Sequence, residues 1–262
     1  MEINKIHQGD CLELMKEIPD KSVDMILCDL PYGTTACKWD VIILFDKLWK
    51  QYNRIIKDNG AIVLFGSEPF SSKLRMSNIK DYRYDWKWIK ERGSGFMNAK
   101  KMPTKKCEDI LVFYKKLPTY NPQELKYFGK KITMKKRTTK SVNGNMGINK
   151  NDGKSYVQEY TNYPNNILEF KTEKGLHPTQ KPVALFEYLI KTYTNKGDLV
   201  LDNCAGSGTT GVACKNLKRN FILIELDEKY FNIAKKRIEE HSQQSTLLPL
   251  AEQHEGGRHS SQ

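Results

Sequence analysis

The sequence predicts an α/β fold whose parallel sheet is interrupted by one long irregular insert. Three observations predict it. Short apolar runs alternate with helical patterns over residues 5–115 and again over 182–241, the signature of repeated β-α-β units. The strand pattern at 198–202 runs directly into a glycine-rich turn that opens a helix. Between the two alternating stretches, from about Lys116 to Leu176, no strong period emerges.

Each element has a local reason. Lys5-Ile6-His7 is a short strand leading into Gly9-Asp10, and Leu12–Ile18 suits a short helix that stops at Pro19. Val23–Cys28 is an apolar run of strand length, and Asp29-Leu30-Pro31-Tyr32 turns at its carboxyl end. Leu44–Ile56 has helical periodicity and is expected to end at Asn59-Gly60, a helix-stop pair. Ala61–Phe65 reads as a second buried strand, and the region Pro69–Met76 as a helix. Asp85–Lys90 and Ile110–Tyr114 read as two more strands, with a lysine-rich loop between them. After the insert, helix Pro182–Thr192, strand Asp198–Asp202, helix Gly208–Leu217, strand Asn220–Glu225 and helix Glu228–His241 complete the pattern. The α/β unit is therefore expected to comprise residues 1–115 and 177–241, with 116–176 inserted and 242–262 a disordered tail.

Composition narrows the function classes. A chain of 262 residues can bury a full core as one large domain, or as one domain with an insert. Its six cysteines include no Cys-x-x-Cys pair, which argues against a zinc site or a disulfide framework, and no metal is expected. No cysteine follows a proline, so the usual nucleophile for methylating the cytosine ring carbon is missing. Apolar runs such as Val41–Phe45 and Ala61–Phe65 are far below membrane-spanning length, so no membrane association is expected. The start, Met1–Lys5, lacks a secretory signal, and a cytoplasmic location, in a bacterial or phage-infected cell, is expected. Net charge is +12, and +7 of it falls within residues 116–176. Charge of that sign and concentration points to an anionic partner, nucleic acid first.

Two motifs carry chemistry. At the carboxyl end of a buried strand, where open α/β sheets bind ligands, Asp29 offers a carboxylate and Tyr32 an aromatic ring. A carboxylate accepts hydrogen bonds from an exocyclic amino group, and a ring stacks on a planar base. The second motif, Asp202–Gly211, contains Gly206, Gly208 and Gly211 in G-x-G-x-x-G spacing, and Glu225 ends the next strand seventeen residues after Gly208. Loop, helix, strand and acid in this register suit an adenosine-containing cofactor, the acid taking both ribose hydroxyls. NAD would need a pyrophosphate on the helix N-terminus, whereas S-adenosylmethionine carries a cationic sulfonium. The acidic groups Asp202 and Asp29 suit the cation better.

These residues together resemble a known family. Asp29-Leu30-Pro31-Tyr32 resembles the Asp-Pro-Pro-Tyr motif of DNA amino-methyltransferases. Asp202–Thr210 resembles their cofactor loop, and His177-Pro178-Thr179-Gln180-Lys181-Pro182 the segment that precedes it. Catalytic motif first, variable insert next and cofactor loop last is the circularly permuted order of the β group. The resemblance implies a Rossmann-like S-adenosylmethionine-dependent methyltransferase sheet with an inserted target-recognition region. It implies that Asp29, the Leu30 carbonyl, Pro31 and Tyr32 hold the target base. Asp10 and Cys11 would lie at the cofactor adenine, and Thr179 and Lys181 near its carboxylate. Asp202, Ala205, Gly206, Ser207, Gly208 and Thr209 would line its methionine portion, and Glu225 would bind its ribose. Aspartate at position 29 implies N6-adenine, since N4-cytosine enzymes more often carry serine there. Leu30 departs from the motif's proline but supplies the same carbonyl, without the fixed φ.

The substrate expected from this reading is double-stranded DNA. Lys126, Lys130, Lys131, Lys135, Lys136, Arg137 and Lys140 form a basic run with no acid between them, with Tyr120, Tyr127 and Phe128 interleaved, and Lys101 and Lys105 belong to a second basic track. The family resemblance allows a homodimer, but no residue pattern specifies one. The alternatives are an N4-cytosine methyltransferase, an NAD-dependent oxidoreductase sharing the glycine fingerprint, and an inactive DNA-binding module.

Overall fold

The computed structural model describes residues 1–33, 40–132, 156–173, 175 and 180–247. In chain order these form β1 (Lys5–Gln8), α1 (Cys11–Leu14), β2 (Val23–Cys28), α2 (Phe45–Ile55), β3 (Ile56–Gly66), α3 (Phe70–Ser77), β4 (Tyr82–Ser94) and β5 (Lys105–Phe113). There follow β6 (Lys126–Ile132), β7 (Tyr156–Thr161), β8 (Ile167–Glu169), α4 (Val183–Tyr193), β9 (Leu199–Asp202), α5 (Thr209–Leu217), β10 (Asn220–Glu225) and α6 (Glu228–Leu247). Single 3₁₀ turns follow α1 and β4. The chain divides into two compact units, Met1–Asn121 with Asn166 onward, and Pro122–Asn165.

The larger unit is an eight-stranded sheet of order β1-β10-β9-β2-β3-β5-β4-β8. The first five strands are mutually parallel. β5 is antiparallel to β3, β4 antiparallel to β5, and β8 parallel to β4. Helices cover both faces, which is why β2 and β3 read as continuous apolar runs rather than alternating ones. Met25 and Leu27 belong to the core beneath α4, α5 and α6, and Ile26 and Cys28 to the core beneath α2 and α3. α2 buries Leu48, Trp49, Tyr52 and Ile55, and α4 buries Leu185, Phe186, Leu189, Ile190 and Tyr193. Each set is one helical stripe.

Topology fixes where a ligand can sit. From β2 the chain crosses to β3 on one side, whereas from β9 it crosses to β10 on the other. The boundary between β9 and β2 is thus the switch point of the parallel sheet, and a crevice opens there at the strands' carboxyl ends. Asp29 leaves β2 and the glycine loop leaves β9 at that boundary.

Three expectations need correction. Asn59-Gly60 does not stop α2, which ends at Ile55; it lies inside β3, in a bulge where pairing jumps from Val23–Ile56 to Met25–Ala61. A Cβ on Gly60 would come within 2.8 Å of the Asp24 carbonyl, so the glycine serves close backbone approach. The stretch 116–176 is not wholly irregular, since β6 and β7 pair antiparallel within the smaller unit. It is also not one insert: that unit spans only Pro122–Asn165, and β8 extends the main sheet. The tail expected from Ser242 begins instead as helix, with α6 continuing to Leu247; residues 248–262 lie outside the described residues.

In the smaller unit, Tyr127 and Tyr160 pack edge-on across β6 and β7, ring centroids 5.8 Å apart. Asn162 Nδ2 donates to the Glu124 carbonyl at 2.8 Å and closes the base of the pair.

Candidate active site

A cavity of about 680 Å³ opens at the switch point. From the sequence-derived set, Asp10, Cys11, Asp29, Leu30, Pro31, Tyr32, Lys181, Asp202, Ala205, Gly206, Ser207, Thr209 and Glu225 line it. Gly208 does not line it, and Thr179 lies outside the described residues.

Asp29 is held from two sides. Tyr32 Oη donates to Oδ1 at 2.7 Å, and Lys181 Nζ donates to Oδ2 at 2.5 Å. A carboxylate has about four lone-pair sites, so acceptor capacity remains for a substrate amino group. The Tyr32 ring stacks on Phe70 with centroids 4.9 Å apart, which fixes the turn against α3. Burial, reinforced by the Asp29 charge, pushes the Tyr32 phenol well above its usual range, so it stays a donor. Leu30 is buried, and its side chain packs into the core beneath α2. That packing anchors the turn where the family's proline would have fixed φ.

Lys181 is buried and bridges two acids. Its Nζ lies 3.5 Å from Glu108 Oε2, on β5, as well as on Asp29. Burial alone would lower the ammonium's pKa, but the Asp29 and Glu108 charges outweigh it and raise the value. Glu108 also pairs with Lys90, and the two cations hold its carboxyl below the usual range against the opposing effect of burial. The residue expected near the cofactor carboxylate therefore sits on Asp29. Glu108, Lys90, Asn203, Phe186 and Tyr230 also line the cavity, and sequence reasoning missed them. Asn203 alone carried a signal, standing inside the glycine-loop motif; Tyr52 Oη donates to its side-chain oxygen at 2.5 Å.

The β9 side is built differently. Asp202 accepts from the Cys204 backbone N–H at 3.1 Å and from the Thr210 hydroxyl. Burial pushes its pKa up to about 7. Glu225 accepts from the backbone N–H groups of Gly206 at 2.7 Å and Asp227 at 2.9 Å, and burial raises its pKa too. Among the described residues no lysine or arginine ion-pairs with either acid. Gly208 takes φ +78°, and a Cβ there would lie 3.0 Å from Ala234 Cβ on α6. The third glycine, Gly211, is a packing site: a Cβ would approach Leu223 and Ile238 within 2.9 Å. Asp10 caps α1, accepting from the Leu12 N–H at 2.7 Å, and Cys11 opens that helix.

The basic residues are less assembled. Lys105 Nζ donates to the Glu68 carbonyl at 3.0 Å and to Ser67, so it braces the protein itself. Lys101 is exposed in the loop after β4. Lys130 and Lys131 lie on β6, whereas Lys135, Lys136, Arg137 and Lys140 fall outside the described residues. Among the described residues no group of three or more His, Cys, Asp or Glu is placed to hold a metal. No described helix is long and apolar enough to cross a membrane.

Known proteins place this geometry. The family model described as DNA methylase matches residues 23–236, most of the chain and both motifs. The chain belongs to this DNA methylase family. Among its relatives, Type II methyltransferase M1.MboII of Moraxella bovis is 30% identical over 89% of this chain and 96% of its own. DNA adenine methyltransferase YhdJ of Escherichia coli is 29% identical, covering 91% and 83% of the two chains. The crystal structure of the M1.HpyAVI–SAM complex superposes with a TM-score of 0.60 at 30% identity, covering 89% of this chain and 98% of that one. The cytosine-N4-specific PvuII DNA methyltransferase shares the fold alone, at 16% identity, TM-score 0.63 and 91% coverage of each chain.

Proposed function

We propose that this methylase transfers a methyl group from S-adenosylmethionine to the N6 amino group of adenine in DNA. One observation carries the reading. A carboxylate held by a buried lysine faces, across one switch-point cavity, Asp202 and Glu225, which ion-pair with no lysine or arginine among the described residues. The chemistry of that cavity fits the donor. Its volume lies within the range of ordinary ligand pockets, and unpaired carboxylates suit a sulfonium rather than a pyrophosphate. When bound, S-adenosylmethionine supplies an electrophilic methyl group.

The chain's own residues do the rest. The amino nitrogen of adenine is a weak nucleophile because its lone pair is delocalised into the ring. Asp29 and the Leu30 carbonyl accept its two N–H groups, localising the lone pair and stabilising the positive charge that builds on nitrogen. Lys181 and Tyr32 lock the Asp29 carboxylate in orientation, so it need not reorganise as that charge develops. The adenine must leave the duplex to reach this cavity, because N6 is inaccessible within the base stack.

Glu225 binds the cofactor ribose, Asp202, Ala205, Gly206, Ser207 and Thr209 its methionine portion, and Asp10 and Cys11 the adenine edge. Thr179 completes this site near the cofactor carboxylate. The Pro122–Asn165 unit recognises double-stranded DNA. Lys101, Lys130, Lys131, Lys135, Lys136, Arg137 and Lys140 contact phosphates, so affinity falls steeply with salt. The enzyme works in the bacterial cytoplasm, where its DNA lies.

A tritiated-methyl assay beside calorimetry tests the reading. Asp29→Ala is expected to abolish label transfer to DNA while S-adenosylmethionine still binds. Retained transfer would sink the Asp29 role.

A further inference from the structure

The loop after β4 has a composition that neither the fold nor the cavity explains. Phe96, Met97 and Met102 are 83%, 99% and 56% exposed within seven residues. Such side chains gain ~1.5–3 kcal/mol each on full burial, and here Phe96 and Met97 bury little or nothing in the chain itself. From Arg92 to Lys106 there are five cations, Arg92, Lys100, Lys101, Lys105 and Lys106, and no acid. The segment is ordered by its own backbone. Gly95 turns it at φ +84°, Ala99 N–H donates to the Phe96 carbonyl at 3.0 Å, and Met102 N–H to the Asn98 carbonyl at 3.0 Å. Lys105 clamps its base to Glu68.

Topology puts this tip beside the reaction site. β5 is antiparallel to β3, with Asp109 opposite Gly66, so β5 begins at the carboxyl edge of the parallel strands. β4 ends at that edge too, with Ser94 opposite Lys105. Residues 95–104 therefore project beyond the edge that carries Asp29. Glu108 touches Lys181, which touches Asp29, and Lys105 lies three residues upstream of Glu108 on the same strand. At ~3.3 Å per residue, the tip starts ~10 Å from the catalytic carboxylate cluster.

Resting on the reading that duplex DNA is the substrate, the geometry points to residues 96–102 as an apolar wedge. Phe96 and Met97 enter the base stack where the target adenine leaves it, and the flanking cations settle on the adjacent phosphates. Insertion of apolar side chains between base steps offsets lost stacking and holds the duplex open. The charge pattern selects this occupant over an apolar partner surface, because Arg92, Lys100, Lys101 and Lys106 flank the apolar tip with no acid between them.

The test compares the full-length enzyme with Phe96→Ser/Met97→Ser and with Phe96→Leu/Met97→Leu. Two duplexes carry the sequence read from DNA the enzyme has modified. In one the target adenine is paired; in the other it faces an abasic site and is already loosened. On the paired duplex the serine variant is expected to lose about tenfold or more in kcat/KM, and the leucine variant to stay within about threefold. On the abasic duplex the serine variant should recover to within about threefold of wild type. Equal losses on both duplexes, or none on either, would overturn the wedge. So would equal losses accompanied by a shift from dimer to monomer in sedimentation, which would assign the tip to a contact between copies. Failure of the wild type to methylate any duplex would instead refute the substrate reading.

Discussion

The two strand-end turns at the switch point both present an aspartate, yet they treat it in opposite ways. After β2, Asp29 is met by a buried ammonium and a phenol hydroxyl. At the end of β9, Asp202 is met by neutral donors, among them the Cys204 N–H and the Thr210 hydroxyl. The difference teaches what each turn is for. A carboxylate fixed by a cation is an orienting group with lone pairs to spare. A buried carboxylate without one is electrostatically incomplete until a cation arrives, and burial, with the Asp29 charge behind it, lifts its pKa to about 7 against the hydrogen bonds it accepts.

The largest expected effect lies on the β2 side. Asp29→Ala should lower kcat by roughly 10²–10³-fold or more, measured as methyl incorporation, because the N–H acceptor and the charge stabiliser vanish together. Next comes its partner. Lys181→Met removes the cation, leaving Asp29 without an ion-pair partner and Glu108 with Lys90 alone, so chemical denaturation should show a loss of about 3–5 kcal/mol. Adding Asp29→Asn to that variant should restore part of the stability and none of the activity. A fully additive double variant would break the pairing half of the comparison.

Asp202 gives a pH signature of opposite kind. Its folded pKa of about 7 exceeds the unfolded value of ~3.9, so the folded chain binds more protons between them. The associated stability is fully present below about pH 4 and is lost as pH rises through 7, by up to ~4 kcal/mol. The stability difference between wild type and Asp202→Asn should therefore change across pH 4–7, and S-adenosylmethionine affinity of the wild type should rise over the upper part of that window. A pH-independent difference would contradict the incomplete-site account. The smallest effect is Glu225→Gln, expected to weaken S-adenosylmethionine binding about tenfold in calorimetry through loss of a charge-assisted hydrogen bond.

The sequence made one half of this contrast readable. Both aspartates and Glu225 end apolar strand runs, and Gly206 and Gly208 sit in an unbroken local motif, so spacing alone located them. Lys181 was legible as part of a motif, but not as the partner of Asp29, because the two lie 152 residues apart and meet only through the sheet order. Glu108 carried no signal at all: it is one acid in a lysine-rich stretch until β5 turns it toward Lys181. β8 escaped for a different reason. Three residues with one buried side chain, Leu168, make too short an alternation to register. Asn59-Gly60 misled because a bulge needing close backbone approach and a helix stop use the same residues.

The central claim is that the cavity beside Asp29 methylates N6 of adenine in DNA. Its most direct test is to incubate the protein with S-adenosylmethionine and unmethylated duplex DNA, digest the DNA to nucleosides, and identify the product by mass spectrometry. N6-methyldeoxyadenosine, present with the wild type and absent with Asp29→Ala, is the predicted result. N4-methyldeoxycytidine, or the same adenine product from both proteins, would contradict it.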